Sequence, residues 1–200
     1  EEAGVKKIGF EALTKGENPS QIGLEQSFLA YWHDAEAIAK RKKIQVVNLQ
    51  QTKSYETFHT FMGHLQLLEK HSVNNLSELN KIRQKMKPIA GKERQASRAF
   101  VMLDKVVEKI PVTAYNLGEL KRGAYFLLTK KLLEQARTQG LTHIVVGATH
   151  AHHLQELGIA KSTFIGTREE LPTRESTLSH QNSFNQYQDL LEELWKIAEQ

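Results

Sequence analysis

The stretch from Thr142 to Ile165, THIVVGATHAHHLQELGIAKSTFI, restricts the fold of this chain more than any other. Ile144, Val145 and Val146 form an apolar run, Gly147-Ala148-Thr149 makes a corner, and a short segment carrying three histidines runs on to Gly158. Gly158 stops a helix, and Ser162 to Ile165 returns to an extended pattern. Two extended runs joined by a helix need a crossover connection, so the unit reads as βαβ in a parallel sheet.

The rest of the chain supplies mostly helices. Residues 1 to 17 are polar and anchored only by Ile8, Phe10 and Leu13, which reads as an N-terminal arm packed on the body. Asn18-Pro19 opens a helix carrying Ile22, Leu24, Phe28, Leu29, Trp32, Ala35 and Ile38 at helical spacing,. Its end is the cluster Lys40-Arg41-Lys42-Lys43, where cations oppose the negative end of the helix dipole,. Ile44 to Leu49 is a further strand, without helical period,. Tyr55 to Lys70, with Phe58, Phe61, Met62, Leu65 and Leu68 inward, and a following helix with Leu76, Leu79, Ile82 and Met86 make a helical hairpin over 55 to 87,. That hairpin is either scaffolding or, with Arg83, Lys85 and Lys87 on its second helix, a helix-turn-helix reader of DNA,.

Pro88 to Gly91 breaks the chain, residues 92 to 110 make an amphipathic helix ended by Pro111, and Val112 to Tyr115 reads as a brief extended piece,. Gly118 to Gln139 is the longest helical pattern, with Gly140 as its left-handed cap,. The Ser-, Thr-, His- and Asn-rich run from Ser176 to Ser183 reads as a loop,. A terminal helix then docks on the body through Trp195, or extends to a partner. The fold class predicted is helix-rich α/β, a small and mostly parallel sheet (44 to 49, 142 to 147, joined by 162 to 166) flanked by amphipathic helices. Its divisions are the arm 1 to 17, the α/β domain 18 to 175 with the hairpin as a subdomain, and the loop and docking helix 176 to 200.

Composition narrows the function classes. With 200 residues and 40% hydrophobic content, the chain can bury one real core,. Its charge of +4, from 27 basic and 23 acidic residues, biases it mildly toward anionic partners without concentrating into one basic face,. With no cysteine there is no disulfide, thiolate nucleophile or Cys-zinc site, which fits a cytoplasmic protein,. No apolar stretch approaches the roughly 20 residues that cross a bilayer, so no membrane role is expected. The opening EEAGVKK has neither an initiator Met nor a signal-like pattern, and the chain is read as a piece of something longer, or as processed,.

If the chain holds a ligand site, it belongs at Gly147, Ala148, Thr149 and His150. There the carboxyl end of a parallel strand meets a helix N-terminus, which together attract anions. Thr149 would cap the helix, His150 would offer a titratable donor, and Arg122 would supply charge; otherwise Thr149 is simply an N-cap. A metal site is not expected, because only two of His150, His152 and His153 share one helix face, and Glu156 would have to complete the set,. His59, His64 and His71 stand five and seven residues apart and miss the i, i+4 spacing of helical zinc ligands,. No GxxxxGK[ST] or GxGxxG occurs, and no cofactor is expected.

Two resemblances bear on function. From Glu119 to Ile165, the residues Arg122, GLTHIVV at 140 to 146, LGI at 157 to 159 and FIG at 164 to 166 resemble the last part of a GNAT-superfamily N-acyltransferase. That resemblance implies acyl transfer from acyl-CoA or an acyl-carrier protein, and an antiparallel sheet where residues 55 to 110 here read as helices. The βα turn also resembles a degenerate RecA-like half of a helicase or relaxase that lacks its catalytic residues. The residues favour a non-catalytic interaction domain of a larger protein, contacting DNA or RNA through Lys40, Arg41, Lys42, Lys43, Arg83, Lys85 and Lys87, or an assembly partner through the C-terminal helix. The acyltransferase is the alternative, so enzymatic activity is left open.

Overall fold

Ile8, Gly9 and Phe10 lie in a strand that passes close to its neighbours at Gly9. A side chain on Gly9 would sit 2.7 Å from Leu141 and 3.0 Å from Leu49, so the backbone alone fits between them,. In the computed structural model, which describes residues 5–11, 34, 36–49, 53–71, 77, 81, 93–159 and 173–200, this strand is β1 (Lys7–Phe10). It pairs in parallel with β2 (Gln45–Asn48) on one side and with β3 (Ile144–Val145) on the other, in the order β2-β1-β3. The register sets Phe10 beside both Asn48 and Val145. The protein is thus a helix-rich α/β fold with a small parallel sheet.

The helices are α1 (Lys53–His71), α2 (Glu93–Lys109), α3 (Ala114–Thr138), α4 (Ala148–Glu156) and α5 (Arg174–Glu199). The four long ones, α1, α2, α3 and α5, pack on one another. Their apolar stripes close on a core that includes Phe58, Phe61, Leu103, Leu120, Leu127, Leu191 and Leu194. Trp195 meets the rings of Tyr55 and Phe58 with centroids 5.2 and 5.3 Å away. Leu49, at the end of β2, enters the same core. No helix among the described residues is long and apolar enough to cross a membrane.

Three segments end in the same hydrogen-bond pattern. Lys43, Gly140 and Gly158 take left-handed φ of 56°, 64° and 65°. The next amide in each case reaches back five residues, Ile44 to Ala39, Leu141 to Ala136 and Ile159 to Leu154, which is the Schellman closure,. Gly140 and Gly158 were expected in this role; at 43 a lysine carries it, at the end of a helical segment over 36–41.

Several expectations need correction. Residues 7–10, expected as part of a polar arm, supply the middle strand, whereas the stretch expected at the centre supplies the shorter β3 beside it. Val145, in the apolar run of that stretch, is therefore only half-buried, because among the described residues β3 has one strand neighbour. α3 starts at Ala114, not Gly118: Thr113 is extended, and its side chain accepts the amide of Asn116,. Ser176 to Ser183 is helix, not loop. Thr173 caps it, and the hydroxyls of Thr177 and Ser183 bond the carbonyls four residues back, so groups that favour loops are satisfied within α5,. Residues 18 to 33 of the helix expected to run from Asn18 to about Lys42, the strand at 162 to 166, the break at 88 to 91 and most of the hairpin's second helix, with Arg83, Lys85 and Lys87, lie outside the described residues.

Candidate functional site

Parallel strands of one sheet deliver their carboxyl ends to the same edge, and in the order β2-β1-β3 the chain leaves β1 toward β2 while β3 lies on β1's other side. The crevice between the ends of β1 and β3 is where sheets of this kind take ligands. Here the residues that meet in it are Glu11, directly after β1, and Gly147 and His150, directly after β3.

Glu11 fills the corner with a carboxylate. Its Oε2 accepts the backbone N–H of Gly147 at 2.6 Å, and its Oε1 lies 3.3 Å from His150 Nε2. Gly147 is the N-cap of α4 and has no side chain to cap the first turn, so the anion that this helix start attracts comes from the chain itself,. Burial alone would raise the Glu11 carboxyl; the charge and hydrogen bond of His150, the Gly147 amide and the more distant His59 of α1 together hold it below the usual range,. Tyr55 feels the same carboxylate: burial first, then Glu11 and Glu134, push its phenol up.

From His150 a chain of polar contacts runs through the interior. His150 Nδ1 lies 2.6 Å from Thr129 Oγ1, and the same oxygen lies 2.7 Å from His153 Nδ1. His153 Nε2 then lies 2.9 Å from His180 Nδ1. Thr129 and His153 are wholly buried and His150 nearly so. Helical spacing explains the pair, since positions 150 and 153 of α4 face α3 together. Burial, with the neighbouring imidazoles, lowers His153 to about 3, and burial followed by Arg122 lowers His180. His153 and His180 are therefore neutral near pH 7.

At the far end, Glu119 binds both Arg122 and Ser183 closely. Burial raises the Glu119 carboxyl, but the hydrogen bonds from Ser183 and Arg122 more than offset this and lower it. Beside Glu119 an open groove of about 480 Å³ runs between the starts of α3 and α5, lined by Tyr115, Glu175 and Leu178 among others.

Of the expected site residues, Gly147 and His150 do meet in the corner, with Ala148 and Thr149 half-buried in the first turn of α4. Thr149 is not the cap, because the helix begins two residues earlier than expected and Gly147 takes that position. Arg122 does not approach the corner; it pairs with Glu119 at the other end of the polar chain. Glu156, the candidate third metal ligand, instead pairs with Arg174 of α5 at 3.2 Å. Among the described residues, no three His, Asp or Glu side chains converge as a metal site. Lys40, Arg41, Lys42 and Lys43 are all exposed.

Glu11, Thr129 and His180 were missed. Glu11 follows an Ile-Gly-Phe run whose strand character was the only available signal, while Thr129 sits in a leucine-rich helix and His180 in a run that resembled a loop. The chain matches no family model, no curated protein and no solved structure.

Proposed function

We propose that the chain is a non-catalytic interaction domain of a cytoplasmic protein that contacts nucleic acid through Lys40, Arg41, Lys42 and Lys43. The observation that carries this reading is the exposure of four consecutive basic side chains where a helical segment turns into β2. Lys40 pairs with Glu36 at 2.7 Å, and at 69% exposure of the lysine that pair is weak and leaves its charge available,. A rigid turn lined with cations suits the phosphate backbone, which dominates nucleic-acid affinity.

The sheet supports the non-catalytic part. Its ligand-binding corner is taken by the chain's own Glu11, and the acyltransferase resemblance implies an antiparallel sheet whereas the described strands run parallel. Parallel pairing fits a degenerate helicase- or relaxase-like module. A protein partner on the C-terminal helix would meet its first turns, where Leu178 and Tyr115 are exposed beside the groove, because Leu190, Leu191, Leu194 and Trp195 are buried in the core.

Mobility shifts with single-stranded and duplex oligonucleotides at low salt test the reading. Binding should fall linearly in log salt with a slope of about −3 to −4 on duplex if four phosphates are neutralised. Replacing the four basic residues by Gln should remove most of that slope without lowering the melting temperature. If wild type at micromolar concentration binds neither oligonucleotide, the nucleic-acid role is wrong.

A further inference from the structure

Among the described helices, α4 has an unusual attachment. Of its nine residues only His150, His153 and Leu154 are buried, so two of the three groups that fasten it are imidazoles. Both belong to the chain Glu11, His150, Thr129, His153, His180, which ties α4 to β1, α3 and α5.

The hydrogens of that chain can be counted. With three neutral imidazoles one assignment satisfies every contact: His180 Nδ1–H donates to His153, His153 Nδ1–H to Thr129, the Thr129 hydroxyl to His150 Nδ1, and His150 Nε2–H to Glu11. One added proton is tolerated. It makes His150 a donor at both nitrogens, while the Thr129 hydroxyl turns to the carbonyl oxygen of Tyr125 at 3.2 Å. The contact between His153 and His180 holds a single hydrogen, so those two rings can share one further proton and not two. That proton meets His150, His152 and Arg122 as like charges, with Glu119 and Glu11 as the facing carboxylates and His59 of α1 adding a further titrating ring near Glu11. Burial already holds His153 and His180 below the ordinary histidine range. In an opened α4 the rings of His153 and His180 lose the burial that holds them down and take up protons,. A further tie between α4 and α5, Glu156 with the 77%-exposed Arg174, adds little,.

We propose that α4 is an acid-released flap: as protons load the histidine chain, α4 detaches from α3, α5 and Glu11 while the four-helix body stays folded, uncovering the carboxyl ends of β1 and β3. The body keeps its own buried histidine, His64, stacked on Phe100 at 4.8 Å, so the comparison between α4 and α1 separates local from global opening,.

Amide hydrogen exchange on the full chain at pH 7 and pH 5, corrected for intrinsic rates, tests this. Amides of residues 151–157 should lose protection by about tenfold per pH unit for each proton taken up on opening, while those of Leu120 to Leu132 and Leu190 to Ala198 change little. His153→Leu should flatten the pH dependence of the α4 amides; should that variant fail to fold, His180→Gln, which can still donate to His153 but does not titrate, should reduce it. The proposal is overturned if α4 is as protected at pH 5 as at pH 7, if α4 and the body open together, or if the folded variant keeps the wild-type pH response.

Discussion

Gly123 of α3 lies so close to Phe184 of α5 that a Cβ there would stand 2.9 Å from the Phe184 nitrogen and 3.0 Å from its Cα. Both neighbours are backbone, which cannot swing aside, so the two helices meet at this point through a residue without a side chain. Gly123→Ala sets a helix-propensity gain of about 1 kcal/mol against an overpacking cost of about 1–3 kcal/mol. The cost wins, and the variant should unfold at lower denaturant. Gly63 in α1 is the control: nothing lies within 4 Å of its Cβ position. Gly63→Ala should therefore stabilise by roughly 0.5–1 kcal/mol. Equal shifts for the two variants would refute the close approach.

Glu11 should matter more through what it accepts than through its size. Glu11→Gln keeps an oxygen for the Gly147 amide but gives up the charge beside His150, whereas Glu11→Ala takes away the oxygen that this amide bonds, an added cost of about 1–3 kcal/mol,. Alanine should be the worse substitution at pH 7. The pH dependence has a definite sign. Because the folded carboxyl is held below its ordinary 4.5, its contribution is present above that value and lost as pH falls through the lower folded one,. The stability gap between wild type and Glu11→Gln should close in that acid range, and a gap that widens there would show that the carboxylate is not the stabilised form.

His153 gives a second acid effect. Its folded value of about 3 lies below the ordinary 6.5, so the unfolded chain binds a proton in that interval and the folded chain does not,. Stability should fall as pH drops from about 6.5 toward 3, with a limiting slope of about 1.4 kcal/mol per pH unit from this ring alone. Urea titrations of wild type and His153→Leu over that window read the difference; parallel stability curves would mean that His153 titrates normally.

Much of the helical body was readable from the sequence because periodic apolar stripes and the glycines at 140 and 158 act locally. The core face of α1, with Phe58, Phe61, Leu65 and Leu68, is the one the spacing predicts,. The sheet was harder. β1 is four residues long, and what makes it central is pairing with Gln45–Asn48 and Ile144–Val145, far away in the chain. The site was half readable for the same reason. The corner at Gly147 and His150 follows from one local strand–turn–helix unit, but Glu11 reaches it from 136 positions away and Thr129 from a helix that advertises only leucines. The Ser-rich start of α5 misled because its hydroxyls bond carbonyls of their own helix, which composition does not reveal,.

Capping offers a test of the helix starts themselves. Thr113 accepts the Asn116 amide at 3.1 Å, so Thr113→Ala should cost α3 about 1 kcal/mol,. Thr149 lies within the first turn of α4, after the Gly147 cap, and Thr149→Ala should change stability by less than about 0.5 kcal/mol,. A loss at 149 as large as that at 113 would move the α4 cap back to the position the sequence first indicated.

Trp195 carries the last prediction, because it joins α5 to α1 at the centre of the aromatic cluster. Its ring meets Tyr55 edge-on and Phe58 at a tilt, and its Nε1–H donates to Glu199 at 2.6 Å, so the apolar body is buried while the polar edge finds an acceptor,. Lys131 lies over the ring at 5.6 Å, a weak addition at that distance,. Trp195→Ala removes the ring and leaves a cavity between two long helices, which should cost about 3–5 kcal/mol. Trp195→Phe keeps part of the contact with Tyr55 and Phe58, loses the Glu199 bond, and should cost clearly less. Glu199→Ala separates the two contributions, since it removes the acceptor while leaving the ring in place. Chemical denaturation of the three variants should rank Trp195→Ala as the least stable, and a Glu199→Ala change that costs as much as Trp195→Ala would assign the effect to the Glu199 bond and not to the aromatic contacts.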